Sequence, residues 1–270
     1  MADEGLSAAR LEGPIFEHVR PLLARLPAGR WPTHAELDAL AEGIVTSRGV
    51  PLRFVAPRGP GIDERRHYEI RIAETGEVET RPGSWHDLFN ALQWIAFPQA
   101  KARINAQHAA LLAEGGDREA KNRSPERDAL TLFDEGGVIV AASAPEVFRS
   151  IAAFEWKRLF WDQREELARS ARFIPFGHAL LEQAMDPYIG MVGKTVFVPV
   201  SDFFFMLAPE SQREEADRLL AAHFGDRKRF ASPKAMAPMP VLGVPGWHPR
   251  TASEDFYGLA SYFHSKPRAV

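Results

Sequence analysis

Cysteine is absent from the chain, which removes disulfide staples, thiolate zinc sites, iron–sulfur clusters and cysteine nucleophiles from the available chemistry. No apolar run approaches the roughly 18 residues that a membrane-spanning helix needs. The longest clusters, such as Phe203–Leu207, are far too short. The opening stretch Met1–Gly13 lacks the basic start and apolar centre of a secretory signal. A soluble cytoplasmic protein with no membrane attachment is therefore expected. Neither sign of charge dominates: the formal net charge is −3, so nucleic-acid binding is not indicated.

Diagnostic catalytic motifs are missing too. The chain has no HExxH metal-binding helix and no GxSxG nucleophile elbow. Gly193-Lys194-Thr195 resembles the end of a phosphate loop, but Tyr188 stands where that motif needs its first glycine. The lysine also leads into the strand-like run Thr195–Val200, whereas a phosphate loop opens a helix. The nucleotide reading is rejected.

What is present is ordinary globular material. A hydrophobic share of 45% with 26% charged residues separates the chain from disordered sequences. Its 270 residues are expected to form a single domain, 1–270, with a helical N-terminal part over 1–50 and a core over 51–265.

The periodicities predict an α+β fold: a mainly helical frame with two β-hairpins and an extended, aromatic and proline-rich C-terminal tail. Ile15–Leu26 has apolar residues at helical spacing. Thr33 with Glu36 is a capping-box pattern, which opens a helix over Ala35–Val45. Val50–Val55 suggests a strand, and Pro57–Asp63 a loop. The first hairpin is expected where Tyr68–Ile72 alternates apolar and charged residues and Val78–Thr80 returns. Ser84 is placed to cap a long helix, Trp85–His108, which Pro98 should kink or divide. Glu114–Glu126 reads as an exposed loop. The second hairpin is expected over Asp128–Ser143, turning at Glu135–Gly137. Beyond it come helix over Pro145–Arg169 broken near Ala153, a short helix Gly177–Met185, a strand Thr195–Val200 and a helix Pro209–Phe224. Trp156, Phe160 and Trp161 at helical spacing read as core.

The candidate chemistry lies on the Trp85–His108 segment and two elements after it. His86, Asn90, Gln93, Phe97, Lys101 and His108 recur on one side of a helix, opposite Trp85, Leu88, Phe89, Leu92 and Ile95. Asp87 adjoins His86, and Asn105 lies one turn before His108. Arg127-Asp128 and Asp134-Glu135 flank the second expected hairpin. His178 opens a short helix with Glu182 on its next turn. Folded together, His86, His108, His178 and Asp134 would make a ligand set for a divalent metal, since imidazole and carboxylate suit zinc, manganese or iron. The same groups allow metal-free acid–base work, because an imidazole titrates at about 6.5 and carboxylates tune it. Asn90 and Asn105 would then steady an oxyanion. The competing structural reading is that each histidine hydrogen-bonds a backbone carbonyl or secures the helix junction at Pro98.

Five phrases, taken in order, carry a family resemblance: WHDLFNALQWIAFP, KARINAQH, RDALTLFDEGG, FGHALLE and VLGVPGWHP. They resemble an uncharacterised proteobacterial family, domain of unknown function 3025, from about Phe54 to Phe263. The resemblance implies a soluble bacterial protein and supplies no activity. Its recurring positions correspond here to His86, Asp87, Asn90, Asn105, His108, Arg127, Asp128, Asp134, Glu135 and His178. His248 stands where a second tryptophan after Trp247 is expected, so no chemistry is built on it.

Three functions stay open at this point. In the first, the protein is an enzyme of acid–base or metal-assisted hydrolysis, with His86, His108 and His178 as base or ligands. Asp134 then orients or ligates, Asp87, Asn90, Asn105 and Asp128 bind, and Arg127 receives a small or anionic substrate. The second is a non-catalytic module that binds a small ligand, an RNA or a protein. The third is a purely structural role for these residues. The decisive observation is whether the imidazoles and Asp134 converge.

Overall fold

The computed structural model describes residues 8–58 and 64–265. The loop expected over 57–63 falls largely outside the described residues, as do Met1–Ser7 of the opening stretch.

The segment Ile15–Leu26, expected as a helix, is built of short turns. A 3₁₀ turn at Pro14–Phe16 and a single-turn helix α1 (Arg20–Leu23) carry Phe16, Val19 and Leu22 into the core, with Leu26 just beyond them. Helix α2 (His34–Leu40) begins at the anticipated capping box. Thr33 Oγ1 accepts from Glu36 N, and the Glu36 carboxylate accepts from Thr33 N at 2.8 Å.

The first expected hairpin is replaced by different structure. Tyr68–Ile72 lies inside helix α3 (Glu64–Thr75), and the two short strands β1 (Arg53–Val55) and β2 (Glu77–Glu79) pair in parallel on either side of it. Alternation over five residues also satisfies the i, i+4 spacing of Tyr68 and Ile72. Packing of α3 on the helix α5 described below resolves that ambiguity in favour of helix. Gly76 ends α3 at φ +71°, where an added Cβ would meet Pro51 O at 2.0 Å.

Ser84 caps α4 (Trp85–Ala96) by accepting from Asp87 N at 3.2 Å. Pro98 divides the long segment as expected. Phe97 sits at φ −131°, ψ 58°, and α5 (Pro98–Lys121) begins directly after it. The presumed exposed loop at Glu114–Glu126 is mostly a continuation of α5, with Gly116 at φ 52° marking a kink.

The second expected hairpin is also corrected. Ala129–Asp134 belongs to helix α6 (Pro125–Gly136), capped by Ser124 and burying Ala129, Leu130 and Phe133 along one face. Only its second half is strand: β3 (Gly137–Ala142), buried at every residue. Beyond it, α7 (Pro145–Ala153) stops at Phe154, φ 62°, near the expected break. A π-helical turn (Arg158–Asp162) and α8 (Arg164–Ser170) follow. Then come β4 (Ala171–Pro175), α9 (His178–Ala184), β5 (Val192–Pro199), α10 (Pro209–His223) and β6 (Ala237–Pro240).

The main sheet has the order β4-β3-β5-β6, with β3 and β5 parallel and the outer pairs antiparallel. Helices α6 and α10 pack on its central strands, and α5 packs on α3, α6 and α10. The fold is mixed α+β, with a helical frame as anticipated. Among the described residues of the C-terminal tail, β6 is the one strand. A later 3₁₀ turn buries Phe256 and Tyr257, the turn after it buries Tyr262 and Phe263, and Tyr262 OH donates to Met191 O at 2.8 Å. Trp156 and Phe160 are core, as expected.

Candidate functional site

Two chain junctions and one helix start create the site. The last turn of α6 carries Asp134 and Glu135, and the chain passes through Gly136 directly into β3. Antiparallel β4 ends beside the start of β3, with Val138 opposite Pro175. Phe176 N and Gly177 N both donate to Gly137 O, at 2.8 and 2.9 Å. The next residue, His178, is therefore held against the end of α6. Gly177 is required by this closeness: a Cβ there would lie 2.4 Å from Glu135 O. Helix α4 packs on α9 and brings His86, in its first turn, onto the same spot.

The two imidazoles meet edge to face, with ring centroids 4.5 Å apart and planes at 79°. Their Nε2 atoms are 3.1 Å apart. Glu135 Oε2 lies 3.4 Å from His178 Nε2, so His86, Glu135 and His178 form one cluster of three ligand atoms. Each ring has a carboxylate on its far side. His86 Nδ1 is 3.0 Å from Glu182 Oε2, and His178 Nδ1 is 3.7 Å from Asp134 Oδ2. His178 is 5% exposed and Glu135 43%, so the cluster has a buried floor and an open mouth.

Proton counting shows what this arrangement needs. If His86 donates Nδ1–H to Glu182 and His178 holds its proton on Nδ1 facing Asp134, two unprotonated Nε2 atoms lie 3.1 Å apart with no hydrogen between them. If His178 instead donates from Nε2, its bare Nδ1 is buried against a carboxylate with no donor to satisfy it. With the His86 proton on Nδ1, each of these two arrangements leaves a ring nitrogen poorly served. A positive centre between the Nε2 atoms removes the conflict.

Behind His178 lies a buried ion pair. Lys101 Nζ donates to Asp134 Oδ1 at 2.6 Å and to Asn90 Oδ1 at 2.9 Å. Asn90 Nδ2 donates to Tyr68 OH at 3.3 Å, and Asn105 Nδ2 donates to Glu69 Oε2 at 2.7 Å. These groups line a cavity of about 20 Å³, room for about one water. Burial alone would raise the Asp134 carboxyl, but Lys101 and His178 outweigh it and hold the group below the usual carboxylate range. Burial pushes His178 down to about 3, against the opposing pull of Asp134. It raises Glu135, and the neighbouring Asp134 charge adds to that. It also raises Tyr68 far above its ordinary value, helped by the charges of Glu69 and Asp134.

A family model described as protein of unknown function (DUF3025) matches residues 52–267. The chain belongs to this family. Comparison with curated proteins and with solved structures found no match. The DUF3025 match covers the segment from which the family phrases were read and every residue of the cluster.

Within this DUF3025 chain the nominated residues separate into two groups. His86, His178, Asp134 and, through Lys101, Asn90 are brought together. His108 is not part of the cluster. It is buried on α5 with an unpartnered Nδ1, and desolvation lowers its pKa. Asn105 reaches Glu69 instead. Asp87 is engaged by Arg81, through Nε and Nη2 at 2.8 Å and through its backbone N at 2.7 Å. Burial would raise the Asp87 carboxyl, but these contacts hold it low. Arg127 is buried with Nη1 on Glu119 O at 2.7 Å, so its guanidinium engages α5 and not the cluster. Asp128 is half-buried in the first turn of α6, where a carboxylate suits the helix dipole.

Sequence reasoning gave no role in the site to Lys101, Glu135 or Glu182. Lys101 appeared on the His86 face, and its burial was the missing signal. A larger groove of about 780 Å³ between α10 and the 3₁₀ turn Asp202–Met206 is lined by Phe203, Phe204, Leu207 and Leu219. It holds none of the nominated residues. Among the described residues no helix is long and apolar enough to cross a membrane.

Proposed function

We propose that the protein is a metal-assisted hydrolytic enzyme whose centre is His86, Glu135 and His178. One observation carries the reading: the spacing of the three ligand atoms. Metal–ligand bonds of about 2.0–2.1 Å at tetrahedral angles place ligand atoms about 3.3 Å apart. The separations from His178 Nε2 are 3.1 and 3.4 Å, and all three ligand atoms lie within 4.8 Å of one another. Two imidazoles and a carboxylate, with the mouth open to solvent, make the three-ligand pattern that leaves a position for water. A divalent cation held there would lower the pKa of a water and polarise a substrate carbonyl or phosphoryl oxygen. Glu182 and Asp134 fit the carboxylate–histidine pattern that orients metal-bound imidazoles.

The test is cation binding followed by turnover. Untagged, chelator-treated protein titrated with Zn²⁺, Co²⁺ or Mn²⁺ should take one cation per chain. His86→Ala, His178→Ala and Glu135→Ala should each weaken binding about tenfold or more. Loaded protein screened on chromogenic esters, amides and phosphoesters should show hydrolysis that EDTA abolishes and the cation restores. A wild-type chain that takes no cation, or variants that bind as well as wild type, would overturn the metal centre. Hydrolysis that persists in EDTA would instead place a shared proton between the imidazoles and make the chemistry acid–base.

A further inference from the structure

The centre does not end at its ligands. We infer that Lys101 is a positioning residue for it, acting through Asp134 on the protonation pattern of His178; this rests on the metal-assisted reading above.

The argument starts from burial. Lys101 is 4% exposed on the first turn of α5. Its ammonium lies 5.4 Å from the Trp94 ring centroid and holds Asp134 Oδ1 at 2.6 Å, with Asn90 Oδ1 as its second acceptor. That grip leaves the other oxygen of Asp134, Oδ2, turned to His178 Nδ1 across 3.7 Å. The gap is longer than a hydrogen bond, Nδ1 makes no close hydrogen bond, and the backbone carbonyl of Asp134 is the other acceptor beside the ring. An anionic Oδ2 facing Nδ1 selects the tautomer with its proton on Nδ1, and this leaves a lone pair on Nε2, the nitrogen that faces His86 and Glu135. Glu182 does the same for His86 from the solvent side. The two carboxylates differ in how they are held. Glu182 is an exposed side chain with no cation behind it among the hydrogen bonds of the described residues, whereas Asp134 is anchored by a buried cation. Lys101 thus prepares the ligand that has least access to water.

Three measurements test this. In wild-type protein freed of cation, long-range ¹⁵N–¹H correlation of the His178 ring should show the Nδ1–H tautomer as the major form. In Lys101→Met, a near-isosteric change, the Nε2–H form should grow, and Co²⁺ affinity should fall about tenfold or more. Asp134→Asn should do the same, which keeps the test decisive if Lys101→Met does not fold. A wild-type ring with its proton on Nε2 would overturn the inference without any variant. So would a folded Lys101→Met chain with unchanged tautomer and unchanged Co²⁺ affinity. If wild type binds no cation but its tautomer still responds to Lys101→Met, the metal reading fails while the positioning role stands.

Discussion

Replacing Asp134 by Asn in cation-free protein at pH 7 isolates the energetics of the buried pair. The substitution keeps the side-chain shape and removes one charge. It leaves the Lys101 ammonium buried, with Asn90 Oδ1 and the Trp94 ring as its remaining company. Removing one partner of a buried pair costs about 3–5 kcal/mol, because the other charge stays desolvated. Asp134 keeps 21% of its surface, so water can partly relieve the strain, and about 3 kcal/mol is expected. Lys101→Met should cost less, about 2 kcal/mol, because Asp134 can hydrate or take up a proton. The double variant buries no charge at all. It should lose less than the sum of the single losses, by about 2 kcal/mol. Urea unfolding followed by tryptophan fluorescence, with the m-value checked for constancy, reads all three losses. An Asp134→Asn loss below about 1 kcal/mol, or strictly additive losses, would show that the pair carries no coupling and that Lys101 is better solvated than its burial implies.

Acid should destabilise the fold through histidines held neutral outside the candidate centre. Burial lowers His18 to about 3 and His223 to about 4. An unfolded histidine titrates at about 6.5. These depressed values favour folding above that pH, and the advantage is lost as pH falls from 6.5 toward 4 and then 3. At pH 5 the two together should cost about 4 kcal/mol. Asp217 opposes this, because burial raises it to about 6 and its neutral form returns stability as pH falls through that value. The melting temperature should therefore drop between pH 7 and 5, and His18→Gln with His223→Gln should flatten the slope; an unchanged slope would place the loss elsewhere. Gly177→Ala should lower stability by about 2 kcal/mol and weaken cation binding together, since its Cβ would press on Glu135 O. A Gly177→Ala chain that melts and binds like wild type would show that the α6–α9 junction has slack.

Local chemistry in the sequence was enough to set the caps and breaks. The Thr33–Glu36 box, the Ser84 cap and the division at Pro98 all depend on groups within a few residues of one another. So does the end of α7 near Ala153, and the residue types alone nominated His86, Asp134 and His178. The two misread hairpins show where that reach ends. Tyr68–Ile72 and Ala129–Asp134 are short windows in which both strand and helix periods find an apolar face, though not the same one, since the helix leaves Leu132 exposed; packing of α3 on α5 and of α6 on β3 and β5 made the choice. The membership of the cluster was likewise decided at a distance. Glu135 entered and His108 stayed out because antiparallel pairing of β3 with β4 sets Gly177 against Gly137, while the turn at Phe97 gives α5 its own direction. Lys101 became part of the site only by losing its water, and desolvation is a property of the packed chain that no residue carries in its own sequence neighbourhood.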